Sequence, residues 1–159
     1  MRMSEGVEWA LHSCLNLSWI ETGEAMTAAR LAAFYNLPTA YLNKQLQALA
    51  RAGILTSTSG PRGGFRLARP LERITLMDVV TAIEGGEEAF RCEQILRAGP
   101  GGSPHVDYKK NCVISQAMRK AELAWRRELA GQTLADIRNT VESRFPGTPD
   151  STRAWFART

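Results

Sequence analysis

The 159-residue sequence predicts a mainly α-helical fold with a small two-stranded β wing. Apolar residues recur at helical spacing in two short segments, which are joined by a tight turn before Pro38. A glycine-rich run at 60–64 then separates two short β-like stretches. A longer amphipathic segment follows at about 113–129. Together these features predict a winged helix-turn-helix domain followed by a long C-terminal helix.

The two short helices are delimited by capping signals. Thr27 is a good N-cap for the first, and Asn36 is a typical stop signal. Pro38, whose φ is fixed by its ring, suits the start of the second helix, and Gly53 suits its end. The buried stripe of the second helix is predicted to consist of Leu42, Leu46, Leu49 and Ala50. Strands at about 54–59 and 65–67 would then flank the wing turn.

Positive charge is concentrated in this part of the chain. No Asp or Glu occurs between Ala25 and Leu71, and the six basic residues there are Arg30, Lys44, Arg51, Arg62, Arg66 and Arg69. Because the whole chain carries a formal net charge of +4, the remainder is net acidic. This segregation favours a polyanion as partner, although a small helical hairpin with a solvated basic face would show the same charges.

The side chains best placed to meet DNA lie on the second helix and at the tip of the wing. Thr39, Tyr41, Asn43 and Lys44 are the candidates on the helix, where they could reach base edges or phosphates. Lys44 is expected to contribute most to the electrostatic attraction. Arg62 is the candidate contact of the wing, which could enter a minor groove.

An N-terminal amphipathic helix carries a second group of candidate residues. Cys14 falls on its apolar stripe and is predicted to be a small buried hydrophobic residue. Glu8 and His12 lie four residues apart on another face, where they could chelate one metal ion or simply form a solvated pair. Trp9 faces away from the stripe and could pack on another subunit or cover a site.

Changes in composition divide the chain into four segments. Residues 1–86 are predicted to form the winged domain, 87–111 a loop bracketed by cysteines, 112–145 the dimerisation helices and 146–159 a loosely held tail in which Trp155 and Phe156 dock locally. The long helix carries an apolar stripe at Ile114, Met118, Ala121, Trp125 and Leu129. That stripe suits a dimer interface, although packing on its own domain would produce the same pattern.

Cys92 and Cys112 bracket the loop, which is glycine-rich. Thiolates on an adaptable loop suit soft iron, and Cys112 lies at a helix start, where the helix dipole favours a thiolate. Two cysteines do not complete a ligand set. They could instead form a reversible disulfide, or the loop could bind nothing.

Several classes of protein are disfavoured. No apolar run has membrane-spanning length, and no signal peptide is evident, so a cytoplasmic location is expected. An enzyme is not expected, because the sequence contains neither a phosphate-binding P-loop nor a strand-turn-helix nucleophile motif. A winged domain that binds only protein remains an alternative, and it would lack the salt dependence of phosphate contacts.

Several motifs resemble the Rrf2 family of winged-helix bacterial regulators, which includes IscR and NsrR. The resemblance spans about residues 5–140 and is carried by the segments 37–42, 52–55, 60–65 and 74–76. It implies a homodimeric transcription factor, expected to act as a repressor. Its second helix would lie in the major groove of a double-stranded DNA operator, and its wing would approach the minor groove.

The loop departs from the pattern of the family's cluster-binding members, which carry three cysteines there. The segment 6–12, Gly-Val-Glu-Trp-Ala-Leu-His, resembles the RsrR-like redox-sensing branch instead. That resemblance implies a 2Fe-2S cluster with Glu8, His12, Cys92 and Cys112 as ligands and Trp9 as a redox gate. It leaves open whether the ligands come from one or both subunits, and whether His105 replaces a helix-one ligand.

Overall fold

The structure is a computed structural model that describes residues 2–20 and 23–158, so the outermost residues of the predicted first and last segments lie outside the described residues. In chain order its elements are α1 (Glu5–Trp19), α2 (Ala28–Phe34), α3 (Thr39–Arg51), β1 (Leu55–Thr58), β2 (Gly64–Leu67), α4 (Leu76–Glu84), α5 (Tyr108–Asn111), α6 (Val113–Ala130), α7 (Leu134–Arg144) and α8 (Thr148–Arg158). They belong to two compact units, 2–85 with 130–158, and 86–129.

The helix pair α2–α3 begins and ends at the predicted signals. The Thr27 hydroxyl accepts a hydrogen bond from the backbone N–H of Arg30, which caps α2. Asn36 stops that helix by adopting φ +54°, and Gly53 follows α3 with φ +73°. Of the predicted apolar stripe of α3, Leu42, Leu46 and Leu49 are fully buried and Ala50 is partly buried. The stripe packs into a core with Leu31, Ile54, Phe65 and Ile74.

The wing is a two-stranded antiparallel hairpin in which Leu55 pairs with Leu67 and Thr58 with Gly64. It is fastened to the segment before α2, because Met26 and Phe65 exchange backbone hydrogen bonds of 3.0 and 2.8 Å. This close approach requires glycine at position 64. Its φ is +139°, and a Cβ there would lie 2.6 Å from the Met26 carbonyl.

Helices α4 and α7 begin with equivalent capping boxes, and backbone hydrogen bonds link the starts of the two helices. The Thr75 and Thr133 hydroxyls each accept a hydrogen bond from the backbone N–H three residues on, and the Asp78 and Asp136 carboxylates each accept one from the backbone N–H of the respective cap residue. The two threonines also form an antiparallel bridge, and Leu134 beside them is fully buried. Helix α7 thus packs within the same unit as the winged domain, while its predicted part in dimerisation remains a prediction.

The prediction of a loosely held tail at 146–159 is wrong. Residues Thr148–Arg158 form helix α8, in which Thr152 and Phe156 are buried. Pro149 lies in the first turn of this helix, where proline is tolerated because its missing N–H would have no intrahelical partner. Trp155 and Phe156 do dock, but on Phe34 of α2, which is distant in the sequence.

The unit 86–129 consists of α6, the short helix α5 and irregular chain around a single 3-10 turn at Ile95–Ala98. Helix α6 holds the preceding chain through Arg126, which bonds Glu122 and the backbone carbonyl groups of Gly86 and Glu87. Much of its apolar surface is exposed, at Val113, Ile114, Met118 and Leu123. Among the described helices, none has both the length and the apolar character needed to cross a bilayer.

Candidate nucleic-acid interface and sensory residues

The predicted DNA contacts on α3 lie outside its buried stripe, and Lys44 is the one of the four that lies opposite it. Thr39 and Lys44 are exposed, Tyr41 is 46% exposed and Asn43 is half-buried. The inner side is anchored where α3 crosses α1 at Gly6, since a Cβ at that position would lie 2.8 Å from the side chain of Gln45. The helix is therefore held against its neighbour while its outer side chains remain accessible.

Not all six basic residues of the acid-free segment face solvent. Arg30 donates to the carbonyl oxygen of Phe156, and Arg66 donates to that of Gly23 at 2.7 Å. Arg69 lies 4.0 Å from the Asp78 carboxylate. For the remaining three, Lys44, Arg51 and Arg62, the structure shows no ion pair within 2–20 and 23–158. The side chains of these three are therefore free of the contacts within the fold that hold Arg30, Arg66 and Arg69.

The wing presents Arg62 at its tip. The backbone N–H of Gly63 donates to the Gly60 carbonyl oxygen at 2.9 Å, which closes the turn, and Arg62 is exposed within it. Gly63 is required there because a Cβ would lie 2.4 Å from the Thr58 carbonyl oxygen. The closed turn therefore holds the exposed Arg62 side chain at the tip of the wing.

Glu8 and His12 are both exposed on α1, and they line one open pocket of about 260 Å³ together with Trp9, Tyr35 and Leu37. The imidazole of His12 meets the Tyr35 ring edge-on, with the ring centroids 5.5 Å apart. Carboxylate and imidazole can both ligate a metal ion, so this pair supplies two donors to a common space.

Trp9 is half-buried and packs against the core, with its ring 5.3 Å from that of Tyr41 at an interplanar angle of 74°. Tyr41 lies in the first turn of α3, so the candidate sensory residue touches a candidate DNA contact directly. This geometry is an edge-to-face aromatic pair, worth about 1 kcal/mol beyond the burial of area.

Tyr35 and Asn16 are two residues of this region that the sequence did not point to. The Tyr35 hydroxyl donates to Asn16 Oδ1 at 3.4 Å, and burial raises the pKa of Tyr35, which keeps the hydroxyl protonated. Asn16 is 1% exposed. Tyr35 follows α2 directly and so opens the turn that leads to α3. No pattern of spacing marks a tyrosine that bonds an asparagine nineteen residues earlier.

Cys92 and Cys112 are free thiols in the unit 86–129, where both line one largely apolar pocket of about 310 Å³. The Cys92 sulfur lies 4.0 Å from the Tyr108 carbonyl oxygen. The rest of the lining consists of aromatic and aliphatic residues (Phe90, Ile95, Leu96, Tyr108 and Ile114) and polar ones (Arg91, Glu93 and Gln94). His105 is exposed on the same loop, and it is not among the described residues that line this pocket.

Cys14 is confirmed as a buried residue of the core. Burial raises the pKa of its thiol to about 12, so it is neither a thiolate nor an accessible ligand. Across residues 2–20 and 23–158, no three His, Cys, Asp or Glu side chains are grouped closely enough to hold a metal ion. The candidate ligands occur as two pairs, Glu8 with His12 and Cys92 with Cys112, in different units. They match a 2Fe-2S cluster in kind, with two soft thiolates and two harder donors.

Known proteins resemble this chain over most of its length. A Bacillus subtilis protein described as a helix-turn-helix type transcriptional regulator, YwgB, is 29% identical over 141 residues, which cover 89% of this chain and 86% of YwgB. The solved structure of CymR, the global cysteine regulator of B. subtilis, has a TM-score of 0.63 at 19% identity and covers 88% of this chain and 98% of its own. The solved structure of IscR from T. potens has a TM-score of 0.66 at 18% identity, and the match covers 91% of each chain.

These structural likenesses confirm the predicted fold class, mainly helical with a small β wing. The sequence profile of the Rrf2 family, described as an iron-dependent transcriptional regulator, matches residues 3–140. That match covers the winged helix-turn-helix, the cysteine-bracketed loop and most of α6 and α7. The chain belongs to the Rrf2 family of transcriptional regulators.

Proposed function

We propose that this protein is a homodimeric, DNA-binding repressor that acts in the cytoplasm and responds to redox state. The observation that carries the DNA-binding part is the acid-free winged segment, in which Lys44 and Arg62 are exposed. Helix α3 would enter the major groove, with Thr39, Tyr41 and Asn43 at base edges or phosphates and Lys44 at a phosphate. Arg62 would approach the adjacent minor groove.

The exposed apolar side of α6 supports the homodimer. Ile114 is 67% exposed and Met118 43% exposed, and their four-residue spacing places them on the same side of the helix. Contiguous apolar surface of this kind is costly in water and typical of an interface. A second copy that covers α6 would also give the two-fold symmetry that a palindromic operator requires.

For the sensory part, we propose that Cys92 and Cys112 of one subunit and Glu8 and His12, supplied by the partner subunit, hold a 2Fe-2S cluster. The donors suit such a cluster in kind, and the resemblance of the segment 6–12 to the RsrR-like branch supports this set of four. When bound, such a cluster supplies a one-electron redox centre whose potential is raised by replacing two thiolates with His and Glu.

The chain's own residues would carry the response to α3. Glu8 and His12 lie on α1, and Trp9 beside them contacts Tyr41 on α3. A shift of α1 or of the Trp9 ring would therefore change the position of a DNA-contacting side chain. Trp9 is the proposed gate, because a change in the charge of the cluster could shift its ring and with it the contact to Tyr41.

The sensory proposal is tested by anaerobic purification, followed by visible spectroscopy and measurement of iron and sulfide. We expect a coloured protein with equal iron and sulfide, and a bleached or altered spectrum for His12→Ala. His105→Ala is the matched control and should leave the spectrum unchanged. A colourless wild-type protein without iron would refute the cluster, and loss of colour in His105→Ala alone would assign the histidine ligand to the loop.

A second sensing mechanism is favoured by the shared pocket of Cys92 and Cys112. The two thiols could lose two electrons and two protons to an oxidant such as a peroxide and form a disulfide. One solved relative is described as the oxidised form of Staphylococcus aureus CymR. An iron-free protein that loses two free thiols on peroxide treatment, and regains them with a dithiol reductant, would support this alternative.

DNA binding is tested by selecting duplexes from a random library with the purified protein. We expect enrichment of a palindromic site, which then competes far better than random duplex in a gel-shift assay. No preference for any palindromic duplex over random sequence would refute sequence-specific regulation.

A further inference from the structure

Helix α8 is an element for which neither the fold class nor the family match provides a role, because the Rrf2 profile ends at residue 140. It packs on the helix-turn-helix through two aromatic residues. The ring of Phe156 stacks on that of Phe34, with centroids 5.2 Å apart and an interplanar angle of 7°. Trp155 meets the same Phe34 ring edge-on at 5.0 Å.

Two arginines reinforce this packing. Arg30 of α2 donates to the carbonyl oxygen of Phe156 in the last turn of α8, and its guanidinium lies 5.9 Å from the centre of the Phe156 ring. Arg153 of α8 donates to the carbonyl oxygen of Trp19, the last residue of α1, at 3.5 Å. Both cations lie at helix C-termini, where the helix dipole favours positive charge. Helix α8 is thus tied to both α1 and α2.

The position of the aromatic contact gives it significance for DNA binding. Phe34 is the last residue of α2 and directly precedes the turn that leads into α3. That turn is short and internally bonded, since the Leu37 N–H donates to the Ala32 carbonyl oxygen at 2.9 Å. A displacement of the end of α2 would therefore also displace α3, because the chain between them is short and held by this hydrogen bond.

We propose that Phe156 is a positioning residue for DNA binding. By stacking on Phe34 it fixes the end of α2, and through the turn it sets the orientation in which α3 is presented to the major groove. Its side chain is 4% exposed and touches no DNA itself. The inference rests on the proposed DNA-binding function and deepens it by adding α8 to the binding unit.

The test uses the full-length chain and the duplex selected by the wild-type protein. Phe156→Leu keeps an apolar side chain of similar size but removes the stacked ring. Phe145→Ala is the control, because Phe145 is 63% exposed at the end of α7. Affinities for the selected duplex and for random duplex are measured at a temperature where circular dichroism shows each variant to be folded.

We expect Phe156→Leu to bind the selected duplex about tenfold more weakly, equivalent to about 1.4 kcal/mol. Affinity for random duplex should change less than about twofold, because phosphate attraction depends little on the orientation of α3. Phe156→Tyr, which retains the ring, should recover most of the specific affinity. Phe145→Ala should match the wild type in both assays.

Wild-type affinity of folded Phe156→Leu for the selected duplex would overturn the inference, and so would an equal loss on both duplexes. If Phe156→Leu does not fold, Arg153→Gln provides the test. It removes the guanidinium that bonds the Trp19 carbonyl oxygen, at an exposed side chain, and so loosens α8 without opening the core. It should weaken specific binding at least about twofold, and unchanged binding would overturn the inference. A wild-type protein that selects no duplex would instead refute the proposed function itself.

Discussion

Replacing Lys44 with alanine is expected to weaken DNA binding in a salt-dependent manner. Lys44 is exposed on α3 and has no ion pair among the described residues, so its charge is available to a phosphate. A lysine that neutralises one phosphate releases the counterion condensed there, and this release sets the dependence of affinity on salt. Loss of the lysine therefore changes the slope of the salt dependence as well as the affinity.

The magnitude follows from the number of contacts. Each phosphate contact contributes about 0.9 to the slope of log K against log salt, so loss of one contact in each subunit of a dimer lowers the slope by about 1.8. The Lys44→Ala defect should consequently differ by ~12-fold between roughly 50 and 200 mM salt, being largest at the lower concentration. Fluorescence anisotropy with the selected duplex, measured across that range, gives the slope directly.

Lys120→Ala is the matched control, since Lys120 is exposed on α6, outside the winged segment. It removes the same charge from the chain but is expected to leave the slope unchanged. The reasoning would be refuted if Lys44→Ala kept the wild-type slope. It would also be refuted if both variants lowered the slope equally, because the effect would then reflect net charge and not a contact of α3.

Two further predictions concern the wing and the thiols. Gly64→Ala should lower the free energy of unfolding by about 2 kcal/mol in urea denaturation, because φ is +139° and the new Cβ would lie 2.6 Å from the Met26 carbonyl. Gly60→Ala, at φ +96° with open space around it, should cost less, and an equal loss would contradict a role for the Met26 contact. In the folded, iron-free protein, a thiol-alkylating reagent at about pH 8 should modify Cys92 and Cys112 but spare Cys14, whose pKa burial raises to about 12. Intact mass spectrometry counts the adducts, and a third adduct before denaturation would show that Cys14 is accessible.

The elements that the sequence predicted well are those with local signals. Thr27 caps α2 as expected, and the glycine-rich turn forms the wing, because each depends on residues only a few positions away. The stripe of α3 was likewise readable from helical spacing. Burial of Cys14 followed from its place on the stripe of α1.

Features that depend on distant partners could not be read from the sequence. Residues 146–159 have the composition of a loop, and α8 is stabilised by Phe34, which lies more than a hundred residues earlier. The six basic residues of the winged segment looked equivalent, yet Arg30 and Arg66 bond backbone carbonyl groups within the fold. In each case the deciding contact lies outside any window of sequence.

Helix α1, which carries candidate sensory residues, contacts the helix-turn-helix at three places. Gly6 brings it so close to Gln45 that even a methyl group would displace that side chain, Trp9 contacts Tyr41, and His12 contacts Tyr35. Because α1 touches the turn and α3 at several points, a movement of α1 cannot leave α3 in place. Close-packed interfaces of this kind respond by shifting between discrete arrangements and not by gradual deformation. A ligand held by Glu8 and His12 would therefore act on a helix that packs directly on α3, and α8 would limit that movement from the C-terminal end of α1 through Arg153.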